Sequence, residues 1–378
     1  MINGPVSLHK KIANKTIVWT ASNNQYLVLE NTAAAILKRL STGEKVEVLS
    51  KEVSKKLSIP IKDSTAFVID LQQRFFECST SENPEKSNNF KEVVIPGDLK
   101  IHKFYKINDT VIKAGFNSEL ECSLVHPKFA HLEIPQTKHT ACFNVFIKDT
   151  KIFLAVNTKI IDSWDSDAVH FFQGKFSMEL IQEIHKKEED QWLGVFHASA
   201  VANGKKAILF LGDSGNGKST SLALLQAHGF NCIADDFVPV DLQNQEVYSF
   251  PAAISVKKNS LETLLPLYPE LNEATEYDFK KLHKIVRYLK PNNTGFSTHL
   301  PCKDLVFIKY QKDAEISCIE ISKIAAFEQL VPDSWLSPKK ENAQVFLDWF
   351  EKLNCYQLTY SDTNELVAAV SKIFNDDL

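Results

Sequence analysis

The chain has 378 residues, 44% of them hydrophobic and 24% charged, which is the composition of an ordinary globular protein long enough for two or three domains. The formal net charge of −4 at pH 7 excludes a global basic field for nucleic acid. The 7 cysteines are dispersed, which argues against a zinc site or a disulfide framework. The N-terminus lacks the apolar core of a signal peptide and no apolar run reaches membrane-spanning length, so we expect a cytoplasmic protein without membrane contact.

Residues 1–80 have the pattern of a small domain of their own. Residues 16–19 and 26–29 predict two strands around a polar turn, and apolar residues at helical spacing then predict three short helices, the third from about Asp63. This order is typical of a winged-helix-like domain. Residues 81–92 are polar and contain a proline, and we interpret them as a linker.

Residues 93–378 are predicted to form one catalytic domain of the α/β class, with a β-rich leading part (93–190) and a core (191–378). Within the leading part, residues 107–111 and 145–154 predict β-hairpins. A helix from about Phe176 to Lys187 is expected before the core begins.

The most informative stretch is Gly212–Ser219, which fits the phosphate-binding pattern G-x-x-x-x-G-K-[ST] between an apolar run and a helix-forming run. Glycines let backbone N–H groups turn toward one phosphate, and the following helix N-terminus adds partial positive charge. Lys218 would reach the β- and γ-phosphates, and the Ser219 hydroxyl would bind Mg²⁺. We therefore predict that ATP or another nucleoside triphosphate binds with Mg²⁺ at Gly212, Asp213, Ser214, Gly215, Asn216, Gly217, Lys218, Ser219 and Thr220.

Two adjacent acids, Asp235 and Asp236, follow the apolar run 232–234, where we expect the strand that neighbours the phosphate loop to end. Successive strand side chains point to opposite faces, so we predict that one carboxylate faces Mg²⁺ and the other faces an acceptor hydroxyl as general base. A solvated turn is the alternative. His197, 15 residues before Gly212, has no role that spacing alone assigns.

Together, His197, the Gly212–Ser219 loop and the segment Ala234–Val238 resemble the HPr kinase/phosphorylase superfamily, which carries a His, then G-D-S-G-x-G-K-S, then A-D-D-x-V. The resemblance covers about residue 93 to the C-terminus. It implies a P-loop sheet with flanking helices and phosphoryl transfer to a serine-type hydroxyl.

Carried over by position, the resemblance makes Asp236 the base, with His197 and Asp235 beside it. It places Lys218 on phosphate and Ser219 on Mg²⁺, and the paired acid Asp235 is our second candidate metal ligand. The family's E-x-R-G segment is not visible near residues 250–262, which leaves a further metal ligand unassigned. The family forms hexamers, so a homo-oligomer is one expectation.

Two cations are further candidates. Arg287 is predicted to neutralise transition-state charge, with a surface salt bridge as the alternative. Lys257 is predicted to contact substrate or phosphate.

Residues 12–78 resemble the PqqD-like peptide-recognition domain of ribosomally made natural products. The resemblance implies that a leader peptide adds as a strand to the sheet edge. The alternative is a generic winged helix for dimerisation or DNA binding, but acidic residues interleave with the lysines, which disfavours nucleic acid.

The leading hypothesis is thus a kinase acting on a Ser or Thr of a precursor peptide held by the N-terminal domain. One alternative is the same chemistry on a small molecule such as a free amino acid, for which deleting residues 1–80 should spare turnover. The other is a nucleotide-dependent binding switch without transfer chemistry.

Overall fold

The computed structural model describes residues 7–77, 90, 93–279, 284–293 and 299–377, which form a mixed α/β structure. The chain divides into two compact units. The first unit comprises Met1–Ser87, Ser322–Val331 and Leu336–Glu351, and the second comprises Asn88–Ile321, Pro332–Trp335 and Lys352–Leu378. Apart from residue 90, the predicted linker 81–92 lies outside the described residues.

Within the described residues the α-helices, in chain order, are α1 (Asn31–Ser41), α2 (Val46–Leu57), α3 (Ile61–Gln72), α4 (Glu119–Phe129), α5 (Val169–His185), α6 (Lys218–Ala227), α7 (Leu261–Leu264), α8 (Lys323–Leu330), α9 (Lys340–Lys352) and α10 (Thr363–Asn375).

The strands described, in the same order, are β1 (Ser7–Ile12), β2 (Lys15–Thr20), β3 (Gln25–Glu30), β4 (Ile101–Ile107), β5 (Thr110–Phe116), β6 (Glu133–Ile134), β7 (Ala141–Lys148), β8 (Lys151–Val156), β9 (Lys159–Asp165), β10 (Trp192–Phe196), β11 (Ser199–Ala202), β12 (Ala207–Leu211), β13 (Asn231–Asp235), β14 (Val238–Asp241), β15 (Glu246–Tyr248), β16 (Ile254–Lys257), β17 (Tyr277–Phe279), β18 (Lys284–Leu289), β19 (His299–Tyr310), β20 (Ser317–Glu320), β21 (Ser334–Leu336) and β22 (Asn354–Tyr360).

The first unit opens with the antiparallel sheet β1-β2-β3, followed by helices α1, α2 and α3. Apolar residues that recur at helical spacing in these helices, such as Leu37, Leu49 and Val68, pack in one buried cluster with Val18 of β2. The two predicted strands and three predicted helices are therefore present. Strand β1, which pairs with β2 along its whole length, is an addition that the sequence pattern did not reveal.

Two helices from far along the chain complete the first unit. The ring of Tyr26 in β3 lies 6.0 Å from that of Phe327 in α8 and 5.3 Å from that of Phe346 in α9. Lys10 in β1 makes an ion pair with Asp348 at 2.8 Å. The unit therefore differs from the predicted domain of residues 1–80, because these contacts join residues more than 300 positions apart in sequence.

The leading part of the second unit is β-rich, as predicted. A six-stranded sheet has the order β6-β4-β5-β7-β8-β9, with α4 and α5 in the same part of the chain. The β7–β8 turn has Asp149 and Thr150 at φ 48° and 66°, the left-handed pair that a tight hairpin requires. Helix α5 covers Val169–His185 and so begins earlier than the predicted helix.

The core of the second unit is a mixed sheet that runs β13-β11-β12-β19 through the region of the phosphate loop. Strand β12 is parallel to β19, and β11 is antiparallel to both of its neighbours β12 and β13. The carboxyl ends of β12 and β13 therefore lie at the same edge of the sheet. Between them lies the start of β11, because Ser199 pairs with both Phe210 and Asp235. Strand β13, which carries the acids, is therefore separated from β12 by β11. We had expected β13 and β12 to be direct neighbours.

Candidate active site

The phosphate-loop sequence forms the turn between β12 and α6. All five residues of β12 are buried, which fixes the start of the loop at the sheet edge. Gly212, Gly215 and Gly217 have φ angles of 128°, 104° and 98°. No side chain caps the N-terminus of α6, a helix that the structure describes completely. Its first backbone N–H groups, which have no partners within the helix, are therefore suited to bind an anion.

Lys218 is buried in the loop, with 9% of its surface exposed. Its Nζ donates hydrogen bonds to the carbonyl oxygens of Gly212 at 2.6 Å and Asp213 at 3.4 Å. Burial lowers the pKa of Lys218, although Asp236 and Asp235 act in the opposite direction. The ammonium group thus folds back on the loop, where phosphate oxygens could replace the two carbonyl acceptors.

Asp235, at the end of β13, accepts a network of hydrogen bonds in a buried position. Its Oδ1 accepts from the hydroxyls of Ser199 at 2.6 Å and Ser219 at 3.0 Å, and its Oδ2 accepts from the backbone N–H of Ser255 at 3.1 Å. Burial raises the pKa of this carboxyl, and the neighbouring charge of Asp236 adds to the effect. A cation bound here would offset that cost, since it favours the carboxylate form.

The donor set around Asp235 fits Mg²⁺, which prefers oxygen ligands and commonly binds one or two protein groups together with phosphate oxygens. The Ser219 hydroxyl and the Asp235 carboxylate are the two first candidates. The Ser255 hydroxyl is buried beside this carboxylate's backbone donor and has no hydrogen-bond partner among the described residues. Over the part of the chain that the structure describes, no group of three or more His, Cys, Asp or Glu side chains forms a metal site.

Asp236 lies one residue beyond the strand, with φ at 68°. A left-handed backbone turn therefore sets the direction of the Asp236 side chain relative to that of Asp235. We had predicted that strand alternation would do so. Its Oδ2 forms an ion pair with Lys128 Nζ at 3.0 Å, and both side chains are less than one-fifth exposed. His197 Nδ1 lies 3.3 Å from the Asp236 carbonyl oxygen.

Lys128 is a site residue that sequence analysis missed. It lies on α4, 108 positions before Asp236. Burial acts to lower its pKa, but the charge of Asp236 and the other acidic groups outweighs this effect, so that its pKa is raised overall. The side chain is therefore a cation held against the candidate base.

A cleft of about 230 Å³ lies over the phosphate loop. Lys257 borders it and donates a hydrogen bond to the Ser214 hydroxyl at 3.2 Å, and its contact with substrate or phosphate stays a prediction. At another part of the cleft are Tyr310 and Tyr360, with ring centroids 5.6 Å apart.

A second cavity of about 460 Å³ has mainly apolar walls from α5, β10 and residues 333–335. His197 and Asp236 border this cavity and also the cleft over the phosphate loop.

The predicted residues mostly converge. The structure brings Lys218, Ser219, Asp235, Asp236 and His197 together, and Thr220 lies beside the same cleft with its hydroxyl 2.8 Å from that of Ser260.

Arg287 borders neither the cleft over the phosphate loop nor the second cavity. Its guanidinium donates to the carbonyl oxygens of Leu271 at 2.6 Å and Asn272 at 3.1 Å and approaches Glu276 at 3.6 Å. Its partners therefore favour the structural alternative over the predicted role in transition-state charge.

No protein-family model and no curated protein matches this chain. None of the described helices has the length and apolar character needed to cross a membrane.

Proposed function

We propose that this protein is an ATP-dependent kinase of the HPr-kinase-like type. It would transfer phosphate to a Ser or Thr hydroxyl of a ribosomally made precursor peptide, whose leader binds the N-terminal sheet. The observation that carries the proposal is the position of Asp236, which borders both the cleft over the phosphate loop and the second cavity. A carboxylate at such a boundary can contact an acceptor hydroxyl on one side and a terminal phosphate on the other.

The phosphate side has the parts that phosphoryl transfer needs. Lys218, Lys257 and the N-terminus of α6 would bind the triphosphate oxygens. Mg²⁺, when bound by Ser219 and Asp235, would neutralise charge on the phosphates. The α6 N-terminus and the two lysines hold the donor in place, so that little covalent chemistry is left to the protein.

On the acceptor side, Asp236 would accept the proton of the hydroxyl. The hydroxyl oxygen then forms a bond to the terminal phosphorus, the bond from that phosphorus to the β-phosphate oxygen breaks, and ADP leaves. Lys128, 3.0 Å from the carboxylate, holds Asp236 in position. His197 contacts the Asp236 backbone and so supports the left-handed turn that directs this side chain.

The peptide partner is proposed from the first unit. Its three-stranded antiparallel sheet ends in β1 on one side and β3 on the other, and an extended peptide can add to such an edge through backbone hydrogen bonds. Holding the leader raises the local concentration of the acceptor to roughly millimolar values when the connection is short.

The test is the intact mass of a candidate precursor peptide after incubation with ATP and Mg²⁺. We expect the mass of one phosphate to be added by the wild-type protein and not by Lys218→Ala or Asp236→Asn. Asp313→Asn is a matched control, because Asp313 also has a left-handed backbone, with φ at 60°, and is exposed. Unchanged transfer by Asp236→Asn, with the control also active, would contradict the assigned base.

A free amino acid as acceptor is best tested from the substrate side. Deleting residues 1–80 would remove Tyr26 from its contacts with Phe327 and Phe346 and so damage the part of the first unit that remains. We therefore compare the precursor peptide, the same peptide without its leader, and free serine. Equal turnover of all three would favour a small-molecule kinase.

A further inference from the structure

We propose that the second cavity binds an apolar side chain next to the acceptor hydroxyl, and so selects peptides with a large aliphatic or aromatic residue beside the phosphorylated Ser or Thr. This inference rests on the proposed kinase function. It assigns to the cavity a role in substrate choice that the phosphate loop does not supply.

The position of the cavity is the first argument. Because Asp236 and His197 border it as well as the phosphate cleft, a hydroxyl beside Asp236 places the neighbouring side chain of the same peptide at the cavity. Adjacent residues of an extended peptide are about 3.8 Å apart at Cα, which is within the reach of one side chain. The two spaces therefore suit two consecutive parts of one bound substrate.

The walls are the second argument. Phe171, Met178, Val195, Phe237 and Trp335 give the cavity a mainly apolar surface. Phe171 is 62% exposed, although an aromatic ring of this size is usually covered in a folded chain. The cavity volume of about 460 Å³ lies within the ~300–1,000 Å³ range of small-ligand pockets, and is large enough for a Leu, Phe or Trp side chain.

The charges on the wall are the third argument. Lys175 is neutralised by ion pairs with Glu179 at 2.9 Å and Glu189 at 2.9 Å. Asp333 is exposed at the same cavity. These acidic groups disfavour an acidic flanking residue, while the apolar rings favour an uncharged one.

Gly174 offers a direct way to fill the cavity. It lies within α5 on the cavity wall, and a Cβ atom built there meets no atom of the described residues within 4 Å. Gly174→Leu should therefore occupy the space without a clash at Cβ, and replacing a glycine in the interior of a helix does not disfavour the helix. Gly174→Ala is the matched control, because it makes the same backbone change and fills little of the cavity.

The probes are synthetic peptides Gly-Ala-Xaa-Ser-Ala-Gly and Gly-Ala-Ser-Xaa-Ala-Gly, with Ala, Leu, Phe or Glu at Xaa, at about millimolar concentration and with saturating ATP and Mg²⁺. We expect kcat/KM to be at least ~10-fold higher with Leu or Phe than with Ala in one of the two series, and lowest with Glu. Gly174→Leu should abolish this preference and leave ATP affinity within about twofold, while Gly174→Ala keeps the preference.

Truncation gives a second comparison. Phe171→Ala should weaken the preference for Phe, whereas Leu120→Ala, which truncates a similarly exposed apolar residue away from the cavity, should not.

A readout that does not need transfer separates the inference from the proposed function. The same peptides with photoreactive p-benzoylphenylalanine at Xaa should crosslink to residues 170–178 or 333–335, as read by mass spectrometry, and Gly174→Leu should prevent this. Crosslinking there without phosphate transfer to any peptide overturns the kinase and leaves the cavity as a peptide site. Transfer with equal kcat/KM for Ala and Phe peptides, unaffected by Gly174→Leu, overturns the inference and leaves the kinase. Crosslinks elsewhere without transfer overturn both.

Discussion

The backbone geometry of Gly212 predicts that Gly212→Ala, which adds a single methyl group, will lower both stability and nucleotide affinity. Its φ of 128° lies in a region that residues with side chains avoid, and an added Cβ would lie 3.0 Å from the carbonyl oxygen of Ile308. That oxygen belongs to the backbone of β19, a strand paired on both sides, so it cannot rotate away as a side chain would. Gly212→Ala must therefore displace the backbone of the loop.

The cost follows from these two effects. Holding a residue with a side chain in this region costs about 1–3 kcal/mol, and a forced close contact in a packed region adds about 1–3 kcal/mol. We expect the free energy of unfolding to fall by roughly 2–6 kcal/mol, the sum of the two effects. Gly204→Ala is the matched control: Gly204 has φ at 86°, but within the part of the chain that the structure describes its Cβ would meet no atom within 4 Å. Only backbone strain of about 1–2 kcal/mol remains in that variant.

Urea unfolding measures the free energy of unfolding of the wild type and of both variants. The slope of each transition should equal that of the wild type, so that the midpoints report stability alone. Nucleotide binding by calorimetry gives a second readout. Because the Gly212 carbonyl accepts from Lys218 Nζ at 2.6 Å, displacement of the loop moves the ammonium group, and we expect ATP affinity to fall by ~10-fold or more, about 1.4 kcal/mol. If Gly212→Ala loses no more stability and no more ATP affinity than Gly204→Ala, the close contact with β19 does not constrain the loop as argued.

Three further outcomes are expected. Ser219→Ala should abolish the gain in ATP affinity that Mg²⁺ provides, measured by calorimetry with and without the metal; an unchanged gain would remove Ser219 from the metal site. Lys128→Met should lower the free energy of unfolding by about 1–3 kcal/mol, because it removes the ion pair with the Asp236 carboxylate. The same variant should slow peptide phosphorylation. Lys128→Arg should retain part of the stability and part of the rate. Burial lowers the pKa of His185 from 6.5 to about 4, so the unfolded chain takes up a proton that the folded chain excludes as pH falls through this window. Stability should drop by on the order of 3 kcal/mol between pH 7 and 4 at this site alone, and His185→Gln should flatten the decline in urea titrations.

The parts of the site that sequence analysis could predict are those encoded in short, contiguous segments. The phosphate loop needs glycines at fixed spacing between an apolar strand and a helix. Gly212–Ser219 has this spacing within eight positions, and the apolar run and the helix-forming run lie directly beside it. The acids Asp235 and Asp236 could be placed near the loop because β12, which leads to the loop, and β13, which leads to the acids, are short and mostly buried. The separate roles assigned to the two carboxylates stay a prediction, and the left-handed turn at Asp236 replaces the expected strand alternation.

What sequence analysis missed depends on contacts between distant segments. In the sequence, Lys128 is an ordinary charged residue of a predicted surface. Its contact with Asp236 arises only in the folded chain, since the two residues are 108 positions apart and no local pattern indicates the contact. The second cavity also depends on such contacts, as does the position of the Ser255 hydroxyl, for which the described residues provide no hydrogen-bond partner. Arg287 shows the opposite error: a lone arginine in a predicted strand suggested a charge role, but its partners are the carbonyl oxygens of Leu271 and Asn272.

The first unit is assembled from three separate stretches of chain, which has a consequence for recombination. A graft that exchanged only the N-terminal module would give the donor's sheet to a host that still supplied α8 and α9. Phe327 and Phe346 would then face a foreign strand in place of Tyr26, and Asp348 would lose its ion pair with Lys10. If the sheet binds a leader as proposed, specificity for a new leader therefore has to be acquired by point changes along the sheet, or by transplanting residues 322–331 and 336–351 together with the N-terminal module.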